Sequence, residues 1–324
     1  MSLDIQTPQP VSPLAHPGPG EATLAILTAL PEEFITTRLL LDEEWRAVTV
    51  PGDPGDYVLG SISSTRGRNS AGTTRHHVVL TLLTETGNDA AASSCAHLLR
   101  SFPTVTCVAM SGIAAGVPAP HAPARHVRLG DVVAGTWGVV DYDHVYDSDA
   151  GSTLRQPFPR PSTRLLRGAK VLAGGELIGD RPWEGILDRI IERGGPAFAR
   201  PEPESDVLHS RSGLRIAHPA LLESGHRPGR PKVHQGRIGS GDRALRSAAR
   251  RDQLATRHDL RALEMEGKGM GDAAFSAGRE WFVVRGISDY GDRHTSLRWR
   301  NYAAAASAAY LGALLSAVPT TPAR

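Results

Sequence analysis

The chain has 324 residues, is 40% hydrophobic and 22% charged, and carries a formal net charge of +2. That length can bury a large core, the composition is ordinary for a soluble globular protein, and so small a charge gives no basis for binding nucleic acid or a membrane surface. The two cysteines, Cys95 and Cys107, fall in apolar contexts away from any C-x-x-C spacing and read as buried free thiols, which suits a reducing cytoplasm.

In chain order, residues 1–22 are rich in Pro and Gly and lack the basic and apolar regions of a signal peptide, so they read as a disordered tail. "TLAILTAL" (23–30) predicts a buried strand, and "PEEFITTRLLLDE" a helix with Pro31 near its start. "YVLGSISS" and "HHVVLTLLTE" predict the next two strands, and "GNDAAASSCAHLLRSF" an amphipathic helix. "TVTCVAMSG" predicts a strand that opens into a Gly/Ala loop, "GIAAGVP". The run 130–143, "GDVVAGTWGVVDYD", reads as one further strand. Helices are expected around 162–177 and 183–193, followed by a long irregular segment within an insertion at about 145–232. "LRALEME" runs a strand into the helix "GKGMGDAAFSAG", "EWFVVRGISD" (280–289) is a strand, and a helix closes the chain over about 298–317. The Ala-rich run in that helix is shorter than the ~18–20 residues of a membrane span and reads as a packed helix. Alternating strands and helices predict an α/β sandwich on a parallel or mixed sheet, as one domain over 23–318 with a short tail at 319–324.

Ligands of open α/β sheets bind beyond the carboxyl ends of the strands. That rule selects Glu32 and Glu33 after the first strand, Ser111 to Gly116 after the middle one, Glu264 to Glu266, and finally Ser288 and Asp289. Each feature alone has a plain structural explanation: a glutamate in a helix's first turn meets the dipole, and an aspartate after a strand is a cap. Three carboxylate-bearing strand ends at one sheet edge, without metal-ligand partners, suggest acid–base chemistry on a polyhydroxylated substrate. "SGIAAG" has neither the Lys-Ser/Thr of a P-loop nor dinucleotide-binding spacing. His76 and His77 are adjacent in a strand, and His209 and His218 lie in irregular chain, so no metal site is expected.

The blocks "AILTALPEEF", "MSGIAAGVP", "VRLGDVVAG", "IGSGD", "ALEMEG" and "VVRGISDYGD" resemble, in order and spacing, the nucleoside phosphorylase/nucleosidase superfamily. The methylthioadenosine/S-adenosylhomocysteine nucleosidase branch is the most similar, over about 23–145 and 233–317. The resemblance implies a three-layer α/β sandwich with a central mixed, partly barrel-like sheet. It implies a homodimer, no cofactor, and cleavage of the bond between a purine, here adenine, and ribose in a nucleoside or nucleotide. Asp289 matches the general acid that protonates the leaving base. Glu266 matches the carboxylate that holds ribose hydroxyls, Met265 the residue packed on the sugar, and Glu33 the carboxylate that positions water. Gly112, Ile113 and Ala114 would let backbone approach the base, with Ser288 beside the acid. Glu264, on the other side of an extended backbone, would be structural.

Phosphorylases of this kind hold phosphate with arginine near the Gly-rich loop, where this chain has Met110, and Glu33 would repel phosphate; hydrolysis is therefore expected over phosphorolysis. Two departures concern the base. Arg243, Ala244 and Leu245 follow "SGD" where the family has a stacking aromatic, so the Arg243 guanidinium would stack instead. Ile113 stands where these nucleosidases often have serine. The insertion also resembles nucleosidase domains of fungal and bacterial immune-type proteins, some implicated in cleaving nucleotides such as ATP. Arg211, Arg215, Arg227 and Arg230 are accordingly expected to face a 5′-phosphate chain. A non-catalytic nucleotide sensor is the alternative of another class.

Overall fold

The computed structural model describes residues 19–42, 45–66, 74–149, 151–155 and 158–320. Residues 1–18 and 321–324, most of the two expected tails, lie outside the described residues. The described end of the first tail is tied down: Ala22 is buried, and its carbonyl accepts from Thr104 Oγ1 at 2.8 Å.

β1 (Leu24–Thr28) is buried at all five positions, as a central strand flanked by parallel neighbours must be. α1 (Pro31–Leu40), β2 (Arg46–Thr49), β3 (Asp56–Ser63), β4 (Arg75–Leu82), α2 (Asn88–Ser101) and β5 (Cys107–Gly116) follow. The expected single strand over 130–143 is two, β6 (Val132–Ala134) and β7 (Val139–Asp141), separated by a turn in which Gly138 N donates to Gly135 O. β8 (Val145–Ser148) and β9 (Gly151–Leu154) form a hairpin, and α3 (Thr163–Leu177) and α4 (Pro182–Gly194) fall where helices are expected. The irregular stretch after them holds a minimal hairpin, β10 (Leu208–His209) with β11 (Arg215–Ile216), and the one-turn α5 (Leu221–Ser224). β12 (Val233–Gln235), β13 (Arg237–Ser240), α6 (Ala248–His258), β14 (Leu260–Glu264), α7 (Gly267–Ser276), β15 (Glu280–Asp289) and α8 (Arg300–Ser316) complete the chain.

The main sheet runs β12-β6-β15-β5-β1-β4-β3-β2 and branches at the end of β5. There Ala115 and Gly116 pair antiparallel with β14, which continues through β13 to β7. The sheet is mixed and curls by this branch; among the described residues it does not close into a barrel. β5 continues through the expected Gly/Ala loop because Ile113 and Ala114 still pair with Gly286 and Ile287 of β15. Helices α1, α3 and α4 pack around α8, which lies on β15 and β5. α2 and α7 pack together and make the other layer. Their approach needs Gly269, since a Cβ there would stand 1.8 Å from the Asn88 carbonyl oxygen. The result is the expected three-layer α/β sandwich. Cys95 and Cys107 are buried and free, and burial pushes both thiols up to about 12.

Candidate active site

β15 is apolar and buried along most of its length, yet its centre carries Arg285, whose side chain is fully buried. A buried guanidinium requires anionic partners. Two come from the end of β14: Arg285 Nη2 pairs closely with Glu264 Oε2 and lies 3.4 Å from Glu266 Oε2. The chain stops being extended at Glu264, and Glu266 takes φ −128° and ψ −26° as it enters α7. Both carboxylates therefore reach the same guanidinium, which corrects the expectation that Glu264 points away from Glu266. Its structural character is nonetheless evident, because Glu264 Oε2 accepts from the backbone N–H groups of Glu266 (3.1 Å) and Gly267 (2.8 Å) at the start of α7.

A third carboxylate enters from α1. Glu33 is 2% exposed; its Oε2 accepts from Ala29 N (2.7 Å) and Leu30 N (3.0 Å), and its Oε1 accepts from Ile113 N at 2.8 Å. It thus closes the first helical turn and bridges to β5. Gly112 is what allows the crossing: a Cβ there would meet Arg285 Nη1 at 2.2 Å and Glu33 Oε1 at 2.6 Å. Gly112 makes room for this charge cluster and is not in the cleft wall, contrary to its expected place against a base.

Three carboxylates around one guanidinium leave the cluster negative, and the structure carries the consequence. Burial raises the Glu33 carboxyl above its ordinary value, against the opposing pull of Arg285 and the three backbone donors. Burial likewise pushes Glu266 up to about 7, opposed by Arg285 and reinforced by Glu264 and Glu33. Burial disfavours the charge on Arg285, but the carboxylates outweigh it and raise its value. Arg285 Nε and Nη1 and Glu264 Oε1 have no hydrogen-bond partner among the described residues. A cluster with more carboxylates than cations, in which burial holds Glu266 near 7, is able to accept a proton and to stabilise an adjacent cation.

The cluster opens onto a cleft of about 290 Å³, of a size for one small molecule. Glu33, Ile113 and Ala114 line it together with Glu264, Met265 and Glu266. Ser288 and Asp289 complete the inner wall. The β15–β5 register shifts between Ile287 and Asp289, a bulge of the kind that re-aims side chains at a strand end. Asp289 is then fixed by its neighbours: Ser288 Oγ donates to Oδ2 at 3.0 Å and Gly291 N to Oδ1 at 2.7 Å. Opposite, Glu266 Oε1 accepts from Gly87 N at 3.1 Å.

The rim holds Arg243 and Ala244, as expected, together with Arg246 and Arg300, which the sequence reading passed over. Arg243 lies 3.6 Å from Asp143, and Arg300 3.6 Å from Glu32. The insertion arginines are elsewhere. Arg227 and Arg230 pair with Glu184 and Asp188 of α4, Arg211 pairs with Asp252 of α6, and Arg215 is exposed in the β10–β11 hairpin. None lines the cleft, so the structure does not bring them to a 5′-phosphate. A larger cavity, about 1020 Å³, lies between α1, β3 and α2, but its carboxylates, Asp56 and Glu85, are exposed.

Arg285 is the member of the buried cluster that sequence reasoning missed. Its signal was present as the single charge inside "WFVVRGIS", since a strand buried on both faces tolerates a charge only against partners.

Comparison with known proteins places the chain in a family. The model of the phosphorylase superfamily matches residues 23–317. A curated relative from Hyaloscypha variabilis, described as a nucleotide-binding leucine-rich repeat (NLR)-like protein, is 28% identical over 310 residues. That match covers 92% of this chain and 29% of the relative, so the chain spans less than a third of that protein's length. Among solved structures, the 5′-methylthioadenosine/S-adenosylhomocysteine nucleosidase of Neisseria meningitidis is similar, with a TM-score of 0.60 at 20% identity. The match covers 92% of this chain and 100% of that one. The futalosine hydrolase of Helicobacter pylori aligns with a TM-score of 0.59 at 17% identity, over 90% of this chain and 96% of that one. At such identities these structures speak to the shared fold. Among the described residues, no helix is long and apolar enough to cross a membrane.

Proposed function

Since the chain belongs to the phosphorylase superfamily, we propose that it hydrolyses the N-glycosidic bond of a purine nucleoside or nucleotide, with adenine as the released base. The observation that carries this reading is the meeting of Glu33, Glu266 and Asp289 in one cleft above the buried Arg285. The nucleosidase and hydrolase names of the similar structures support it.

Breaking a glycosidic bond sends the electron pair to the base and leaves positive charge on the sugar. Asp289, oriented by Ser288 and Gly291, donates a proton to the purine ring nitrogen so that the base departs neutral. Glu266 accepts hydrogen bonds from the ribose hydroxyls, and the net negative cluster behind it stabilises the cationic sugar. Water then forms the new bond at the anomeric carbon and gives its proton to Glu33, whose burial raises its affinity for protons. Met265 packs on the sugar, and Ile113 and Ala114 meet the base.

Glu33 at the attacking position favours water over phosphate, because an anion there would be repelled. In this reading a 5′-phosphate meets Arg243, Arg246 and Arg300, which line the same cleft. The reading includes a homodimer, which light scattering on the purified chain would test. The enzymatic test is free-base release from methylthioadenosine, S-adenosylhomocysteine, adenosine, inosine, AMP and ATP, with and without phosphate. Phosphate-independent release that falls by about 10²–10⁴ in Asp289→Asn is expected, the usual worth of a general acid. Absence of release from every substrate by a folded protein would shift the case to a nucleotide sensor.

A further inference from the structure

A second group of buried titratable residues lies outside the cleft. Asp131 immediately precedes β6, His234 is in β12, and His226 follows α5; all three are buried. His226 Nε2 is 2.8 Å and His234 Nε2 2.9 Å from the same oxygen, Asp131 Oδ2. That oxygen also accepts from Arg128 N at 2.8 Å, while Oδ1 accepts from Lys232 N at 3.0 Å. Two imidazoles from separate segments thus aim the same ring nitrogen at one carboxylate oxygen that a backbone donor already serves. One ligand atom from each of the three residues lies within 4.8 Å of the others.

The spacing suits a small cation. Bonds of about 2.0–2.2 Å from zinc to imidazole nitrogen and carboxylate oxygen set tetrahedral ligand atoms roughly 3.3–3.5 Å apart. The present separations of 2.8 and 2.9 Å need to widen by only about half an ångström to reach that spacing. Replacing two N–H donors with one ion also relieves the crowding on Oδ2. The outer shell is already formed on one side: His226 Nδ1 lies 2.9 Å from Ser224 Oγ, which donates to Ala220 O at 2.9 Å. A fixed partner on the far ring nitrogen is what orients a metal-binding histidine. Two imidazoles and one carboxylate form a donor set for zinc or a similar late first-row divalent ion and not for magnesium or calcium.

We propose that Asp131, His226 and His234 form a structural metal site of the zinc class, which fastens the insertion to the main sheet beside the catalytic strand. The link to that strand is short. Ile287 N donates to Asp131 O at 2.8 Å, and Ile287 is two residues from Asp289. The metal takes no part in the reaction; it ties together the loop before β6, the turn after α5 and β12. The site stands on its own geometry and does not depend on the substrate assigned to the cleft.

The test uses the full chain, stripped with chelator and titrated with Zn²⁺ against a chromogenic competitor, with Co²⁺ as a spectroscopic probe. Saturable uptake of one Zn²⁺ per chain is expected, with a rise in Tm of several degrees because the ion binds only the folded state. His226→Gln and Asp131→Asn abolish that uptake. Ser224→Ala weakens it by roughly tenfold, the lower end of the cost of losing an orienting partner. His209→Gln, which removes a histidine stacked on His294 outside the group, leaves it unchanged. X-ray absorption of the zinc-loaded wild-type chain shows scattering from two imidazoles, and the Co²⁺ form shows ligand-field bands; these readouts hold even if a variant fails to fold. No stoichiometric uptake by the wild type, uptake retained in both ligand variants, or a spectrum without two imidazoles overturns the proposal.

Discussion

Two of the ion-paired groups beside β15 are balanced differently. In one, Asp206 faces Arg128: Nε donates to Oδ2 at 2.8 Å, and the Tyr290 hydroxyl donates to Oδ1 at 2.7 Å. One negative charge meets one positive charge, and both carboxylate oxygens are served. In the other, Arg285 faces Glu33, Glu264 and Glu266, with atoms of both signs unpartnered among the described residues. A balanced buried pair holds elements together. An unbalanced group beside a cleft keeps protons and potential available for a ligand.

That contrast can be broken from either side. Arg285→Met leaves three buried carboxylates without a cation and should cost about 3–5 kcal/mol, the range for uncovering buried charge. Thermal unfolding should show the loss to be smaller at acid pH, where the carboxyls neutralise. A pH-independent loss would mean that packing, not charge, sets the role of Arg285. On the balanced side, Asp206→Asn keeps an acceptor for only one of Tyr290 and Arg128 and turns an amide NH₂ toward the other; because Arg128 is only partly buried, this should cost about 1–3 kcal/mol.

The excess charge should also appear in the pH dependence of stability. Glu266 is pushed from 4.5 to about 7, so across that interval the folded protein holds a proton that the unfolded chain has released. Its contribution is fully present below 4.5 and is lost as pH rises through 7, by on the order of 1–3 kcal/mol. Glu266→Gln fixes the neutral form, so the difference between wild type and variant should grow in the variant's favour over the same interval. Parallel curves would place the proton elsewhere in the cluster.

Smaller effects separate the two sets of arginines. Arg246→Ala should raise KM for AMP by roughly tenfold relative to adenosine, the lower end of a hydrogen bond to a charged group. Arg230→Ala should leave that ratio unchanged and should cost less than about 1 kcal/mol, as exposed ion pairs do. The reverse pattern would restore the insertion to the substrate site.

How much was legible depends on whether the signal was local. Glu33, Met265, Glu266 and Asp289 were readable because each ends or follows a strand, and an α/β sheet gathers its strand ends at one edge. The run 130–143 misled because apolar residues continue through the turn, and only pairing to different neighbours divides it. β2 was missed because it is a short edge strand, mostly exposed, and shows no buried stripe. The insertion arginines were visible as composition, but their partners Glu184, Asp188 and Asp252 come from helices that the sequence does not visibly bring near. The Asp131 group was invisible for the same reason, as Asp131 lies 95 and 103 positions from its two histidines along the chain.

The most direct test is the identity of the sugar product. The chain, with adenosine or whichever panel substrate it prefers, is incubated with inorganic phosphate, and the products are followed by ¹H and ³¹P NMR beside Asp289→Asn. The account predicts free base and free sugar, or sugar 5-phosphate from a nucleotide, at a rate indifferent to phosphate and nearly abolished in the variant. A sugar 1-phosphate formed in proportion to added phosphate would contradict the place of Glu33 as the group that receives water's proton.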